Sequence, residues 1–273
     1  MSEHKFRFGV VATPEGGAQR WAATAKRVEG LGFSSLLMPD GLQLLEPFSS
    51  LAVAASATTT LRVGTFVLAS PLRAPRAAAW GGHSLSVLTD GRFEFGIGTG
   101  RPEAQRFAEQ LGRPWGTPGE RLREVAESIE LLRELDGERH TPVLVAAGGP
   151  KALALAGRAA DIVTLAAPPL AGRDHYAAMA ARVREAAGDR DVEIAANLFL
   201  VGDEEPPPWT RRFIDFDHAT LAAHDAQTLL RGTPTEMADE LQRRRDAYGV
   251  SYISVNGAFL DQLAPVVELL AGR

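Results

Sequence analysis

Residues 92–101 read RFEFGIGTGR, and this stretch decides the predicted fold because apolar and aromatic residues run directly into a turn with repeated glycines. Two other stretches share the design, VGTFVLASPLRAP at residues 63–75 and VLVAAGGP at residues 143–150. A helix-like segment follows each turn. In parallel α/β proteins the loops at the carboxyl ends of the strands converge on one face, where ligands bind. Turns with so little side-chain bulk indicate a backbone packed against a flat, phosphate-bearing cofactor.

Strand-like runs alternate along the whole chain with segments of helical periodicity. Eight such runs occur, at residues 6–12, 34–39, 61–68, 92–98, 142–147, 161–165, 192–201 and 250–256. Within 273 residues, eight βα units favour an α/β protein with a single (β/α)8 TIM barrel. A doubly wound open sheet is the alternative. We expect residues 1–273 to form one domain, with an extended loop at residues 202–232 after the seventh strand.

The charge balance and the cysteine content argue against several classes of partner and site. The chain has 29 basic and 34 acidic residues, a net charge of −5, which argues against nucleic acid as the main partner. It contains no cysteine, so a disulfide framework, a thiolate metal site and a thiol nucleophile are excluded. Neither an apolar leader nor a run long enough for a membrane span occurs in the sequence. We therefore expect a cytoplasmic protein that acts on a small-molecule substrate.

Three glycines, Gly96, Gly98 and Gly100, lie at the end of the fourth predicted strand and in the turn after it. This pattern matches a dinucleotide-binding fingerprint poorly, because it does not follow the first strand and no acidic residue ends the next strand about 20 residues on. Two interpretations remain open. The glycines let a cofactor approach the backbone at a barrel rim, or they only form turns.

A second glycine pair, Gly148 and Gly149, precedes a predicted helix at residues 152–159. Free N–H groups and the positive end of the helix dipole favour an anion at such a position. Lys151 adds positive charge there or is simply solvated. The turn lacks the G-K-[ST] ending of a P-loop, which argues against nucleoside triphosphate hydrolysis.

Asp40 is the one tentative catalytic residue. It ends the second predicted strand, where its carboxylate accepts a hydrogen bond from a ligand, acts as a base, or caps a turn. His218 and His224 lie near several aspartates in the long loop, but no helical i,i+4 histidine pair occurs, so no metal site is expected.

The aromatic residues of the long loop have two interpretations. Trp209, Phe213 and Phe216 cover a bound substrate, or they form a contact between subunits. The first interpretation follows from the position of the loop on the rim where barrel chemistry occurs.

Taken together, these motifs resemble the luciferase-like monooxygenase superfamily, over nearly the whole chain. The matching segments are residues 61–65, 71–75, 88–92, 96–103, 148–153, 159–161 and 232–236. The resemblance implies a TIM barrel that binds FMN or the deazaflavin coenzyme F420. The turn at residues 98–103 is more similar to the F420 branch.

The resemblance also implies a set of cofactor-binding positions, namely Asp40, Phe66, Val67, Thr99, Gly100, Arg101, Gly148 and Gly149. In the family the positions of Phe66 and Val67 back the ring, often through a non-proline cis peptide. Those of Thr99, Gly100, Gly148 and Gly149 contact the ribityl chain and the phosphate.

Two departures from the family pattern bear on the reaction. Asp40 is followed by Gly41 where some F420 dehydrogenases have histidine, and Arg101 stands where some have a carboxylate. The acid/base pair of the sugar-phosphate dehydrogenases therefore does not carry over. We expect an F420-dependent oxidoreductase that transfers a hydride between the deazaflavin C5 and a small organic substrate. The alternatives are an FMN-dependent monooxygenase that uses O2 and a cofactor-binding protein without turnover; a homodimer is possible in each case.

Overall fold

The computed structural model describes residues 4–204 and 216–273. The strands are β1 (Arg7–Val11), β2 (Ser35–Met38), β3 (Arg62–Thr65), β4 (Leu68–Ala69), β5 (Phe93–Gly98), β6 (Val143–Ala147), β7 (Ile162–Leu165), β8 (Glu193–Leu198), β9 (Leu200–Val201), β10 (Leu229–Leu230) and β11 (Val250–Asn256). The helices are α1 (Ala18–Gly30), α2 (Pro47–Ser56), α3 (Pro75–Leu88), α4 (Gln105–Gln110), α5 (Pro118–Asp136), α6 (Pro150–Ala159), α7 (Arg173–Ala187), α8 (His218–Ala223), α9 (Pro234–Tyr248) and α10 (Leu260–Leu270).

Eight of these strands close into a parallel barrel. The hydrogen-bonded order is β3-β2-β1-β11-β8-β7-β6-β5, and pairing of β3 with β5 joins the two ends. The helices surround the barrel, and their apolar faces form with it one large buried core. The predicted TIM barrel is confirmed, and the open-sheet alternative is wrong because the sheet has no free edge in the barrel.

The seam between β3 and β5 is the shortest part of the closure. Only Val63 with Phe93 and Gly64 with Glu94 are in register before β3 ends. The Thr65 hydroxyl then continues the ladder: it donates to the Gly96 carbonyl at 2.7 Å and accepts from the Gly96 N–H at 2.8 Å. A Cβ at Gly96 would lie 1.8 Å from the Thr65 carbonyl oxygen, so this position requires glycine.

The amino-terminal end of the barrel interior is filled by a charged layer. The guanidinium of Arg7 contacts Glu94 at 2.6 Å and Glu193 at 2.6 Å, while Arg62 donates to Glu94 at 2.8 Å. Burial disfavours the charged carboxylate of Glu94, but the two arginines outweigh it and hold the Glu94 pKa below its ordinary value. Above this layer lies an apolar cluster of Leu37, Leu144, Ile162, Ala195 and Tyr252.

Local signals place the helices as expected. Thr117 and Thr233 each accept a hydrogen bond from the N–H of a glutamate three residues on, Glu120 and Glu236, whose carboxylates accept in return from the threonine N–H. Both predicted capping boxes are therefore confirmed. None of the described helices has the length and apolar character that a membrane crossing requires.

The predicted long loop at residues 202–232 is corrected in part. Within its described residues the chain forms α8 and then β10, which pairs with β9 through Leu229 and Leu200. The sequence pattern did not reveal these elements because each is short, six and two residues respectively.

Candidate functional site

The carboxyl ends of the barrel strands form an open mouth, and one side of its floor is apolar. Val11, Phe66 and Val67 are half-buried and pack on the interior apolar cluster. We call these three residues the apolar floor. It offers a surface on which a flat ring can rest.

The floor is shaped by the break between β3 and β4. The Phe66–Val67 peptide bond is cis, which confirms the expectation from the family resemblance. The Phe66 N–H donates to the Met38 carbonyl at 2.7 Å, and β4 then resumes pairing with β5 through Leu68 and Ile97. The two predicted ring-backing residues thus interrupt the third strand at the mouth.

Asp40 lies at the edge of the mouth with both carboxylate oxygens engaged. Oδ2 accepts from Arg73 Nη1 at 2.7 Å and from the Ala69 N–H at 3.0 Å, and Oδ1 accepts from Arg73 Nη2 at 3.0 Å. The Asp40 side chain is 3% exposed. This arrangement ties the end of β2 to the turn after β4. A role as base would require the Arg73 pair to open, so the tentative catalytic assignment remains a prediction.

Thr99, Gly100 and Arg101 form the turn after β5. Gly100 has a φ of +77°, which favours glycine, and a Cβ there would lie 3.2 Å from the Trp115 ring. The Thr99 carbonyl accepts from Arg121 Nε at 3.0 Å, and the Arg121 guanidinium lies 4.2 Å from the centre of the Trp115 ring. Trp115 and Arg121 were not predicted from the sequence, since neither belongs to a strand-end motif.

Gly148 and Gly149 follow β6, the neighbour of β5, so this turn and the Thr99 turn lie side by side. A Cβ at Gly148 would lie 2.6 Å from the Ala166 carbonyl oxygen, whereas a Cβ at Gly149 meets nothing within 4 Å. Gly149 is the N-cap of α6 and no side chain caps that helix, so its first N–H groups face outward. With a φ of −84°, Gly149 does not need glycine for its backbone conformation. Gly149 therefore leaves open space directly at a helix N-terminus.

The opposite side of the mouth is polar and uncharged. Thr164 on β7, Asn197 on β8 and Ser254 on β11 occupy alternating positions that continue the interior faces of their strands. The Ser254 hydroxyl donates to Asn197 Oδ1 at 2.9 Å. These residues were missed by the sequence analysis, although the two-residue alternation of the strands places all three inside the barrel.

The glycines of β5 serve the barrel more than a ligand. Gly96 makes room for the Thr65 carbonyl, and a Cβ at Gly98 would lie 3.0 Å from Val67. Neither interpretation of the G-x-G-x-G pattern accounts for Gly96 and Gly98, which are explained by close strand packing, whereas Gly100 forms the turn.

The remaining candidates are residues of the predicted long loop. Trp209 and Phe213 fall outside the described residues, and Phe216 is exposed. Among residues 4–204 and 216–273, no group of three or more metal-ligating side chains converges, and this includes His218 and His224. A cavity of about 680 Å³ beside α8 and α9 shares no residue with the predicted cofactor positions.

The chain is similar to proteins of known family. The profile of the luciferase-like monooxygenase family matches residues 4–220. An F420-dependent glucose-6-phosphate dehydrogenase of Intrasporangium calvum is 31% identical over 166 residues, 50% of this chain and 50% of the relative. An F420-dependent hydroxymycolic acid dehydrogenase of Mycobacterium tuberculosis is 30% identical over 220 residues, 68% of this chain and 60% of the relative. The chain thus matches about half to three fifths of the length of these relatives.

The fold has solved counterparts as well. A coenzyme F420 dependent tetrahydromethanopterin reductase from Methanopyrus kandleri superposes with a TM-score of 0.76 at 16% identity, over 98% of this chain and 99% of the other. At that identity the similarity establishes the barrel and nothing finer.

Proposed function

The chain belongs to the luciferase-like monooxygenase family, and from this premise we propose that it is an F420-dependent oxidoreductase acting on a small organic substrate. The proposal is supported by the sequence relatives, whose names specify F420. It is carried by one structural observation: an open, uncapped helix N-terminus at Gly149 lies on the same mouth as the apolar floor. A flat ring with an anionic tail fits that combination.

We assign the cofactor positions as the sequence analysis named them. Phe66 and Val67 support the ring, the turn of Thr99, Gly100 and Arg101 borders its chain, and Gly148 with Gly149 receives its phosphate. Asp40 borders the ring through its ion pair with Arg73. When bound, F420 supplies a carbon that exchanges a hydride with the substrate; the chain supplies the position, and a dry surface beneath the ring.

The test measures cofactor binding directly. We expect quenching of tryptophan fluorescence to report tighter binding of F420 than of FMN. We further expect Gly149→Val to weaken F420 binding at least tenfold, about 1.4 kcal/mol, because the new side chain occupies the space for the anion while the backbone conformation stays accessible.

Gly17→Val is the matched control. Gly17 is likewise an extended, uncapped N-cap residue, with a φ of −80°, and a Cβ there meets nothing within 4 Å. F420 affinity should survive this change, and both variants should keep the circular dichroism spectrum of the native barrel. A clear preference for FMN would overturn the F420 assignment. Equal losses of F420 affinity in the Gly149→Val and Gly17→Val variants would refute the proposed phosphate site at the N-terminus of α6.

We also propose that the chain forms a homodimer through α3. Trp80 and Leu88 are 68% and 77% exposed, and with Val87 they form an apolar strip along that helix. We propose that the same strip of a second copy packs against it, because a two-fold axis brings identical surfaces together. A sedimentation mass of one chain would contradict the dimer. One domain over residues 1–273 and a cytoplasmic location stay predictions.

A further inference from the structure

Asn197 stands where β8 reaches the mouth. Two residues before it on the strand, Ala195 packs in the interior apolar cluster, and two before that Glu193 binds Arg7 in the charged layer. Because side chains alternate along a strand, Asn197 faces the same interior. Its side chain is only partly buried. The top of β8 therefore presents a carboxamide to whatever enters the mouth.

The orientation of this carboxamide is set by Ser254. The Ser254 Oγ lies 2.9 Å from Asn197 Oδ1 and 3.5 Å from the Ala196 carbonyl, so its single proton goes to the shorter contact. A carboxamide has one accepting oxygen and two donating N–H bonds. Because Asn197 Oδ1 is bound by the Ser254 hydroxyl, the two N–H bonds of Nδ2 remain as donors. No described residue accepts a hydrogen bond from them.

Thr164 on the neighbouring strand β7 adds a second polar group. Its side chain lies on the interior face two residues after Ile162 and is 4% exposed. No described residue hydrogen-bonds the Thr164 hydroxyl. The Thr164 oxygen is not one of the fully buried atoms that lack a partner, so it is open to the mouth. Together with the Asn197 donors on the adjacent strand β8, it offers a place for a ligand oxygen.

Charge is distributed unevenly around the mouth. Three basic residues lie on the side of the cofactor positions: Arg73 follows β4, Arg101 follows β5 and Lys151 follows β6. The interior side chains that β7, β8 and β11 bring to the mouth in the described chain, Thr164, Asn197 and Ser254, are uncharged. A neutral amide does not compensate the desolvation of an anion, so this side suits an uncharged ligand.

We propose that Asn197 is a specificity-determining residue whose Nδ2 group donates to the oxygen of an uncharged ketone or alcohol substrate, with the Thr164 hydroxyl beside it. This inference rests on the proposed function, since the polar side is left to the substrate only when F420 occupies the other side. Asn197 positions the oxygen and selects against anionic substrates.

The experiment measures binding of three probes of similar size to F420-saturated protein: cyclohexanone, cyclohexanol and cyclohexanecarboxylate. Ligand-observed NMR gives their dissociation constants. We expect the neutral probes to bind and Asn197→Asp to weaken them at least tenfold. The carboxylate introduced still accepts the Ser254 proton, so the local fold is kept while both N–H donors are lost. F420 affinity should not change.

Asn256→Asp is the matched control for charge. Asn256 Oδ1 accepts the Ala258 N–H at 2.9 Å, a bond that a carboxylate also makes. The control places the same negative charge at the mouth and should change probe affinity less than twofold. The inference is overturned by unchanged probe binding in Asn197→Asp, by equal losses in both variants, by tighter binding of the carboxylate probe, or by no binding of either neutral probe. Failure of wild-type protein to bind F420 would instead refute the proposed function, and it is detected before any probe is added.

Discussion

Replacing Glu94 by glutamine tests whether the charged layer stabilises the barrel. The Glu94 side chain is 2% exposed and lies within 2.6 Å of Arg7 and 2.8 Å of Arg62. The variant keeps the shape of the side chain but removes the negative charge that Arg7 and Arg62 share in the described chain. It therefore leaves two cations inside the barrel with one carboxylate, Glu193.

The magnitude follows from what remains. Removing one partner of a buried ion pair lowers stability by about 3–5 kcal/mol. Arg7 keeps Glu193, which accepts from both its Nε and Nη2, and Arg62 keeps a bond to the Gly91 carbonyl. We therefore expect the lower end of that range, a loss of about 3 kcal/mol in the free energy of unfolding.

Urea denaturation at pH 7 measures this loss, with Asp261→Asn as the control. Asp261 pairs with Arg27 at the same 2.6 Å, but the two side chains are 66% and 59% exposed. Exposed pairs contribute about 0–1 kcal/mol, so the control should be nearly neutral. Burial is then the main difference between the two ion pairs. A loss below about 1 kcal/mol for Glu94→Gln, or one equal to the control, would refute the reasoning.

The same variant predicts a pH dependence with a definite sign. The folded-state pKa of Glu94 lies below its ordinary value, because the two arginines outweigh the effect of burial. Its contribution is therefore present above the unfolded-state pKa of about 4.3 and is lost as the pH falls through the lower folded value. The stability difference between wild type and variant should be constant near neutrality and shrink in acid. A difference that grows below pH 4 would contradict this sign.

The remaining predictions concern the framework. Gly96→Ala should lower the free energy of unfolding by about 3 kcal/mol or more, because its Cβ would lie 1.8 Å from the Thr65 carbonyl oxygen. Gly30→Ala is the control and should be tolerated, since a Cβ there meets nothing within 4 Å. Equal melting temperatures for the two variants would contradict the close packing at the seam between β3 and β5. Glu29 accepts from three backbone N–H groups before β3, which outweigh the opposing effect of partial burial and lower its pKa to about 2. Glu29→Gln should therefore lower the free energy of unfolding by about 1 kcal/mol at pH 7, a modest figure because the carboxylate is partly exposed. This loss should vanish as the pH falls from about 4.3 toward 2. A loss of stability that persists at pH 2 would contradict the prediction.

Much of the fold follows from local sequence. Each of the eight predicted runs contains a barrel strand, since β-branched and aromatic runs bounded by glycine and proline have few other solutions. Two runs were interrupted. The seventh, at residues 192–201, divides into β8 and β9, and β9 pairs with β10 outside the barrel. The third divides at Phe66–Val67. Its β-branched residues predict one continuous strand, and the break at Phe66–Val67 was indicated only by the family resemblance.

The site was less accessible to prediction because it depends on contacts between distant residues. Asp40 was found from its place at a strand end, but its engagement by Arg73, 33 residues away, depends on how the turn after β4 folds back. Ser254 and Asn197 are 57 residues apart and meet only because β11 lies beside β8 in the closed barrel. Strand order and register decide such pairs, and neither is written in a local motif.

The charged layer has a kinetic consequence for the proposed enzyme. It fills the amino-terminal end of the barrel interior, and the apolar cluster fills the layer above it, so the described residues leave no passage through the barrel. As far as the described residues show, a ligand of Asn197 therefore enters and leaves at the carboxyl end of the barrel. In the proposed arrangement the ring lies on the apolar floor, and a substrate whose oxygen is held at Asn197 stands between the ring and the opening. For the proposed enzyme we therefore expect ordered binding, in which the cofactor enters before the substrate and leaves after it.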